Sequence, residues 1–536
     1  MEEVCLRFCH ISGAIFEKID NKSLNECRKI NSSFCASIDS QKFKWIRIIA
    51  KCIGKIDNSQ VGESWKKVLN KVPTKIVKKL SQVVQRFFIV RPSRHKHQWT
   101  PLHIAAERGH LSLCKYITKK YLNKCPDGPS DGLTPFYLAA QNGHWRVCKF
   151  LISTLKDFEI LISIRNGVTP LHAAAMNGHV KVCQMIIDNI ADKNPKDDNA
   201  WTPLHSAAKR GHLEVCKIII ANVRDQNPAD NYGETPLHGA ATAGHFEVCR
   251  LLVENAIEKN PGTNYGWNWT PLHNAAHKNH VEICKLFFEH VKDKNPSASQ
   301  GWTPFHWAAQ EGHLETCKLF INSIEDKNPS NEDGITPFHR AALEGHAKVC
   351  SLIMDHLKDK NPGNSIGMTP LHSATHNGHL NTCKLIIDNT PVKNPPDDCG
   401  MTPLHIAASN GYADICKLVI VNEKNLGPID NEGYTPLHWA AQNGNFEACK
   451  LLIENVKEKL PTDKLGRTPL HYAAQEGHLN TCALILKHVS NKHPTDNFGF
   501  TPRVLAHGQG HKEVLKLLDN ELMDFKCDEL IEANFY

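Results

Sequence analysis

No run of about eighteen or more apolar residues occurs in this 536-residue chain, so no segment reads as a membrane-spanning helix. The first residues, Met1-Glu2-Glu3-Val4-Cys5, lack the basic stretch and apolar core of a secretory signal, and the expected location is the cytoplasm or the nucleus. Cys-x-x-Cys and His-Glu-x-x-His spacings are absent, although the chain holds 20 cysteines and 32 histidines. Phosphate-binding loops, a nucleophile elbow and kinase signatures are missing too. These absences point away from an enzyme and away from any cofactor or metal.

What the chain does have is repetition. Thr-Pro recurs thirteen times at a regular spacing, from Thr100 to Thr501, nearly always as Thr-Pro-Leu-His or a close variant. Ten of the twelve intervals are 33 or 34 residues and two are 35. A period of that length marks stacked supersecondary units, each in contact only with its neighbours. The hydrophobic share of 41% and charged share of 22% suit such a folded, water-soluble body.

The repeat also disposes of the apparent chemistry. Twelve cysteines, from Cys114 to Cys482, recur at one phase, within stretches such as Glu214-Val-Cys-Lys-Ile-Ile219. Free cysteine at the apolar phase of a helix behaves as a small buried hydrophobe. Stacked helices lie about 8–10 Å apart, beyond the roughly 7 Å between Cα atoms that a disulfide allows. Eleven histidines close the tetrad and eleven more follow the Gly or Asn that ends the first helix. Their periodic placement makes them structural.

Trp201 to Asp230 illustrates one unit. Thr202 suits an N-cap and Pro203 the first helical position, which needs no N–H. Leu204, Ala207 and Ala208 give a small apolar face, and Gly211 ends the helix. Leu213, Cys216, Ile219 and Ile220 set the apolar phase of a second helix. Asn227-Pro-Ala-Asp-Asn-Tyr-Gly233 then carries turn chemistry into the next tetrad.

Tetrad, Ala-Ala pair, Gly-His and spacing together resemble the ankyrin repeat over residues 99–520. The resemblance implies an all-α repeat fold, a solenoid of about 13 helix-turn-helix units, each with a β-hairpin finger. Where that family usually has Gly-Ala-Asp-Val after the second helix, this chain has Asn189-Ile-Ala-Asp-Lys-Asn-Pro195 and similar runs. Asn189, Asn222, Asn255, Asn389, Asn422 and Asn455 are therefore expected to take the left-handed conformation of the missing glycine. The last unit, Thr501-Pro-Arg-Val504, loses its histidine, as a capping repeat would.

Partners of that family usually dock on the hairpin tips and the concave first-helix surface. Trp201, Trp269, Trp302 and Tyr434 precede Thr-Pro, whereas Trp307, Arg340, Trp439 and Tyr472 follow the tetrad histidine. Trp, Tyr and Arg are enriched at interface centres. These eight are the candidate partner-binding residues, against the alternative that each only covers its neighbour's hairpin.

Residues 1–98 do not follow the repeat. Ile11, Ile15 and Ile19 fall on one helical face, and Leu24, Cys27 and Ile30 repeat the pattern. With Phe8, Phe16, Asp20, Ser23 and Arg28 these residues resemble the F-box, a helical module that joins a substrate receptor to the adaptor of an SCF-type ubiquitin ligase. Cys9 stands where that family usually has Pro. The resemblance implies adaptor-binding roles for Ile11, Ile15, Phe16, Ile19, Leu24 and Ile30; the alternative is a helical cap on the array. Residues 41–97 hold fifteen Lys/Arg against two Asp/Glu in an amphipathic pattern, and no nucleic-acid-reading motif accompanies them.

The expected organisation is an F-box-like helical module over 1–50, a basic amphipathic linker or cap over 51–98, the array over 99–520 and a tail over 521–536. The expected function is recruitment of a protein target to an SCF-type ligase by a non-catalytic subunit. A scaffold unrelated to ubiquitination is the alternative.

Overall fold

The computed structural model describes residues 101–121, 133–154, 165–264 and 266–520. The F-box-like residues Ile11 to Ile30, the basic stretch 41–97 and the tail 521–536 lie outside them. The chain divides into two compact units, Met1–Ala256 and Ile257–Tyr536.

Unit 1 carries α1 (Pro101–Glu107), α2 (Leu111–Tyr121), α3 (Pro135–Gln141), α4 (Trp145–Thr154), α5 (Pro170–Met176), α6 (Val180–Asn189), α7 (Pro203–Lys209), α8 (Leu213–Ile220), α9 (Pro236–Ala243) and α10 (Phe246–Asn255). Unit 2 carries α11 (Pro271–His277), α12 (Val281–His290), α13 (Pro304–Gln310), α14 (Leu314–Ser323), α15 (Pro337–Leu343), α16 (Ala347–Met354), α17 (Pro370–His376) and α18 (Leu380–Asn389). It continues through α19 (Pro403–Asn410), α20 (Ala413–Asn422), α21 (Pro436–Gln442), α22 (Phe446–Asn455), α23 (Pro469–Gln475), α24 (Leu479–His488), α25 (Pro502–Gln509) and α26, residues 512–520. In each unit the short odd-numbered helices stack on one another and the even-numbered ones form a second row. Leu204, Ala207, Ala208, Val215, Cys216 and Ile219 are wholly buried between the rows, so the small Ala-Ala pair is what lets neighbouring helices approach.

From α5 to α23 the Thr-Pro-Leu-His or Thr-Pro-Phe-His tetrad starts each first helix by a reciprocal cap, whereas α3 and α25, which lack the histidine, keep only the Thr cap. In α7, Thr202 is extended, Pro203 takes the first position, and the Thr202 N–H donates to Nδ1 of His205 at 3.1 Å. Histidine thus does what Glu or Gln usually does at the third position of a capping box. Through Nε2 the same ring donates to the carbonyl of Glu234 in the next repeat, at 3.0 Å. The second histidine, which Tyr412 and Asn445 replace in two repeats, reaches the other way. His346 donates through Nε2 to the carbonyl of Gln310 in the preceding repeat, at 2.9 Å. Where both histidines are present, one ties the repeat forward and the other ties it back; Asn445 takes the backward role in its repeat by donating from Nδ2 to the Ser409 carbonyl at 2.7 Å.

The linker departs from the left-handed expectation. None of the six asparagines at the ends of the second helices has positive φ. Instead each side-chain amide turns back and donates to the carbonyl four residues earlier, as Asn189 does to Met185 at 2.8 Å and Asn455 to Leu451 at 2.7 Å. That satisfies a terminal carbonyl without a left-handed residue. The following Asp-Lys-Asn-Pro completes the cap. Asp326 Oδ1 accepts the N–H of Asn328 at 3.0 Å, and Lys327 Nζ donates to the Ile321 carbonyl at 2.7 Å. Asn328 Oδ1 accepts the N–H of Phe338, at 3.1 Å, in the next first helix.

The expected β-hairpin fingers are tight turns, and no strand occurs among the described residues. In one finger the Asp230 N–H donates to the Glu234 carbonyl, while Asp230 Oδ1 accepts the N–H groups of Tyr232 and Glu234, each at 2.8 Å. A carboxylate thus takes donors that a strand ladder would need. Adjacent tips are joined by single backbone bonds, such as Asn231 N–H to the Asn199 carbonyl at 3.0 Å.

In the last repeat Val504 sits at the forward-reaching histidine's place and is 44% exposed. Phe498 and Phe500 beside it are exposed as well, so this end is less polar than a cap is expected to be.

Candidate functional site

The repeating chemistry is consumed by the scaffold. All twelve periodic cysteines are buried and free, and burial pushes the thiols up to about 12 at Cys216, Cys284 and Cys482. Such thiols are inert to oxidants and metals. Burial likewise lowers the tetrad histidines, to about 4 at His205, His306, His339 and His438, so they stay neutral with Nε2 protonated. Among the described residues no three His, Cys, Asp or Glu side chains converge in a way that could hold a metal ion. No helix among them is long and apolar enough to cross a membrane.

What remains is the variable set on the first helices and the fingers. In unit 2, α11, α13 and α15 bring four of the eight candidates together. Trp269 meets Trp307 edge to face at a centroid separation of 5.0 Å, and Trp302 lies 6.2 Å from Trp307. The Arg340 guanidinium stacks over Trp302 at 5.3 Å. Arg340 also donates from Nε to Gln310 Oε1 at 3.0 Å, and its Nη2 bonds the same oxygen. Burial lowers its pKa from the ordinary value, and it forms no ion pair with any described residue. Trp307 Nε1 and Nδ1 of the adjacent His277 are shut from solvent without a hydrogen-bond partner among the described residues.

A second cluster joins α21 and α23. Tyr434 lies 5.4 Å from Trp439 and 5.3 Å from Tyr472, and the two tyrosine hydroxyls are 2.8 Å apart. Trp439 donates from Nε1 to Asp430 Oδ2 at 3.1 Å, and the Tyr472 hydroxyl donates to Asp463 Oδ2 at 2.5 Å. Burial raises the Tyr472 phenol above its ordinary pKa. Tyr472 is only 4% exposed. It supports Tyr434 from beneath. Trp201 stands apart in unit 1, stacked 4.7 Å from His205, under the Lys209 ammonium, with its indole N–H on Ser206 Oγ at 3.0 Å.

Sequence reasoning overlooked the fingertips. Tyr232, Trp267, Ile366, Leu465 and Phe498 are exposed there, and all but Trp267 directly precede the finger glycine. The signal was present as an apolar residue before a turn glycine, a position that the packing of the repeat does not explain.

Comparison with known proteins identifies this architecture. A family model described as "Ankyrin repeats (3 copies)" matches residues 73–160, 102–197, 171–263, 257–331, 306–397, 388–463 and 455–527. No curated protein matches the chain. Repeats of this family bind protein partners, which fits a scaffold that carries part-exposed, non-repeating aromatic side chains on its first helices and fingers. With matches running without a gap from 73 to 527, the chain belongs to the ankyrin repeat family.

Proposed function

We propose that this protein is a non-catalytic recognition subunit that holds a protein target on the first-helix side of unit 2. The observation that carries the reading is a contrast within one surface. The periodic Thr, His, Asn and Lys groups spend their hydrogen bonds inside the scaffold, whereas Trp302, Trp307, Arg340, Tyr434 and Trp439 sit part-exposed beside it. Unpaired polar atoms such as Trp307 Nε1 are the kind that selection for stability alone removes.

The finer reading couples this surface to an SCF-type ubiquitin ligase through residues 1–50, with Ile11, Ile15, Phe16, Ile19, Leu24 and Ile30 facing the adaptor or the module core. It rests on the F-box-like residues alone. Quantitative copurification tests both levels, using the intact chain, a form lacking 1–50, and the triple variant Trp302→Ala, Arg340→Gln, Tyr434→Ala. The triple variant is expected to lose the target and keep the adaptor, and the truncated form to do the reverse. An intact chain that retains a target but no adaptor establishes the scaffold reading instead.

A further inference from the structure

The interval from Thr235 to Thr270 is two residues longer than the common spacing of 33. The excess lies in one finger of unit 2. Thr263 N–H donates to the Trp269 carbonyl at 2.9 Å and Trp269 N–H to Thr263 Oγ1 at 3.0 Å, closing a loop of six residues' separation where Asp230 and Glu234 close one of four. Trp267 and Asn268 fill the extra space. Asn268 sits at φ 45°, in the left-handed region, and its Nδ2 donates to the Ser297 carbonyl at 2.9 Å. The Trp267 carbonyl accepts the N–H of Ser299 at 2.9 Å. The backbone of this long finger is thus pinned to the next finger, while Trp267 is 67% exposed and stacks on no ring among the described residues. Exposing so large an apolar surface is unfavourable unless something covers it.

Two residues further on, Trp269 enters the Trp307, Trp302 and Arg340 cluster. This track has an aromatic end and a cationic end. Gln310, a neutral amide, occupies the Nε edge of Arg340 and leaves the Nη1 group without a partner among the described residues. Glu311 and Glu344 act on the guanidinium only at a distance. A partly desolvated guanidinium held over an indole is presented for a planar anion, and carboxylate matches its fork.

We infer that the Trp267–Arg340 track binds an acidic linear segment of the partner protein, with a carboxylate on Arg340 and an apolar side chain on Trp267. The inference rests on the target-binding reading above and specifies its chemistry. Charge complementarity selects this occupant: a basic segment would meet the Arg340 cation with like charge, and a neutral one would leave its open Nη1 group without a charged acceptor.

Random peptides displayed on phage and selected on the intact chain provide the probe. The strongest selected peptide is then synthesised with a fluorophore and titrated by anisotropy. Selected sequences are expected to carry Asp or Glu beside an aliphatic or aromatic residue. Arg340→Gln should weaken the peptide about 10–30-fold and Trp267→Ala about 5–30-fold, with Arg340→Lys between wild type and Gln. Circular dichroism checks that the variants remain folded, and the two sites lie on different elements. Enrichment of basic or uncharged peptides, or no enrichment at all, overturns the inference. Acidic peptides indifferent to both substitutions overturn it too, by placing the contact elsewhere, and they leave the broader target-binding reading intact.

Discussion

His306 donates from Nε2 to the carbonyl of Ile335, 2.9 Å away in the next repeat, while its Nδ1 accepts the N–H of Thr303 at 3.2 Å. One buried ring therefore caps its own helix and fastens the following finger. His306→Ala removes both bonds and leaves a cavity, and is expected to cost about 2–5 kcal/mol. Urea denaturation followed by circular dichroism measures this. A change smaller than that of a surface substitution would show that the ring is dispensable.

The same histidines set an acid limit. Burial lowers His205, His306, His339 and His438 from 6.5 to about 4 in the folded chain. Between those values the unfolded chain takes up protons that the folded chain refuses, so stability falls as pH drops through this window and is retained above it. The urea midpoint should decline steadily from pH 6.5 to pH 4. A midpoint that is flat or rising there contradicts the buried, neutral assignment.

Gly312 and Gly510 both have left-handed φ, at 70° and 79°. A Cβ on Gly312 would sit 2.5 Å from Nδ1 of His346, while one on Gly510 meets nothing within 4 Å. Gly510→Ala should cost about 1–2 kcal/mol of backbone strain. Gly312→Ala should cost more, because the His346 ring must move off the Gln310 carbonyl. Equal melting temperatures for the two variants would remove the proposed ring contact.

Two lysines of similar sequence context should behave differently. Lys327 caps the end of α14 through the Ile321 and Ile324 carbonyls, whereas Lys318 pairs with Glu315 on the surface. Lys327→Met is expected to cost about 1.5–3 kcal/mol as the loss of charged hydrogen bonds. Lys318→Met should cost about 0.3–0.5 kcal/mol. Thermal unfolding of both proteins ranks them directly.

Local structure was legible where one residue type has one physical outlet. Thr202-Pro203 starts a helix, Cys216 is buried at an apolar phase, and His205 belongs to the scaffold. Asn189 was not legible in this way, because an asparagine can close a helix by its backbone or by its amide, and here the amide reaches Met185. Tyr472 looked like Trp439 in sequence, yet its exposure depends on Asp463 and Tyr434, which close over it only in the stacked structure. Trp267 had a visible cause, the two-residue longer interval, but an interval does not say which way a side chain faces.

The central claim, that target binding belongs to the non-repeating side chains of unit 2, is tested most directly by hydrogen–deuterium exchange on the intact chain with and without its copurified partner. Binding should slow exchange in the finger at 263–269, in α13, α15 and α21, and leave the second-row helices α14, α16 and α22 unchanged. Protection confined to the second-row helices, or to unit 1, would contradict the account.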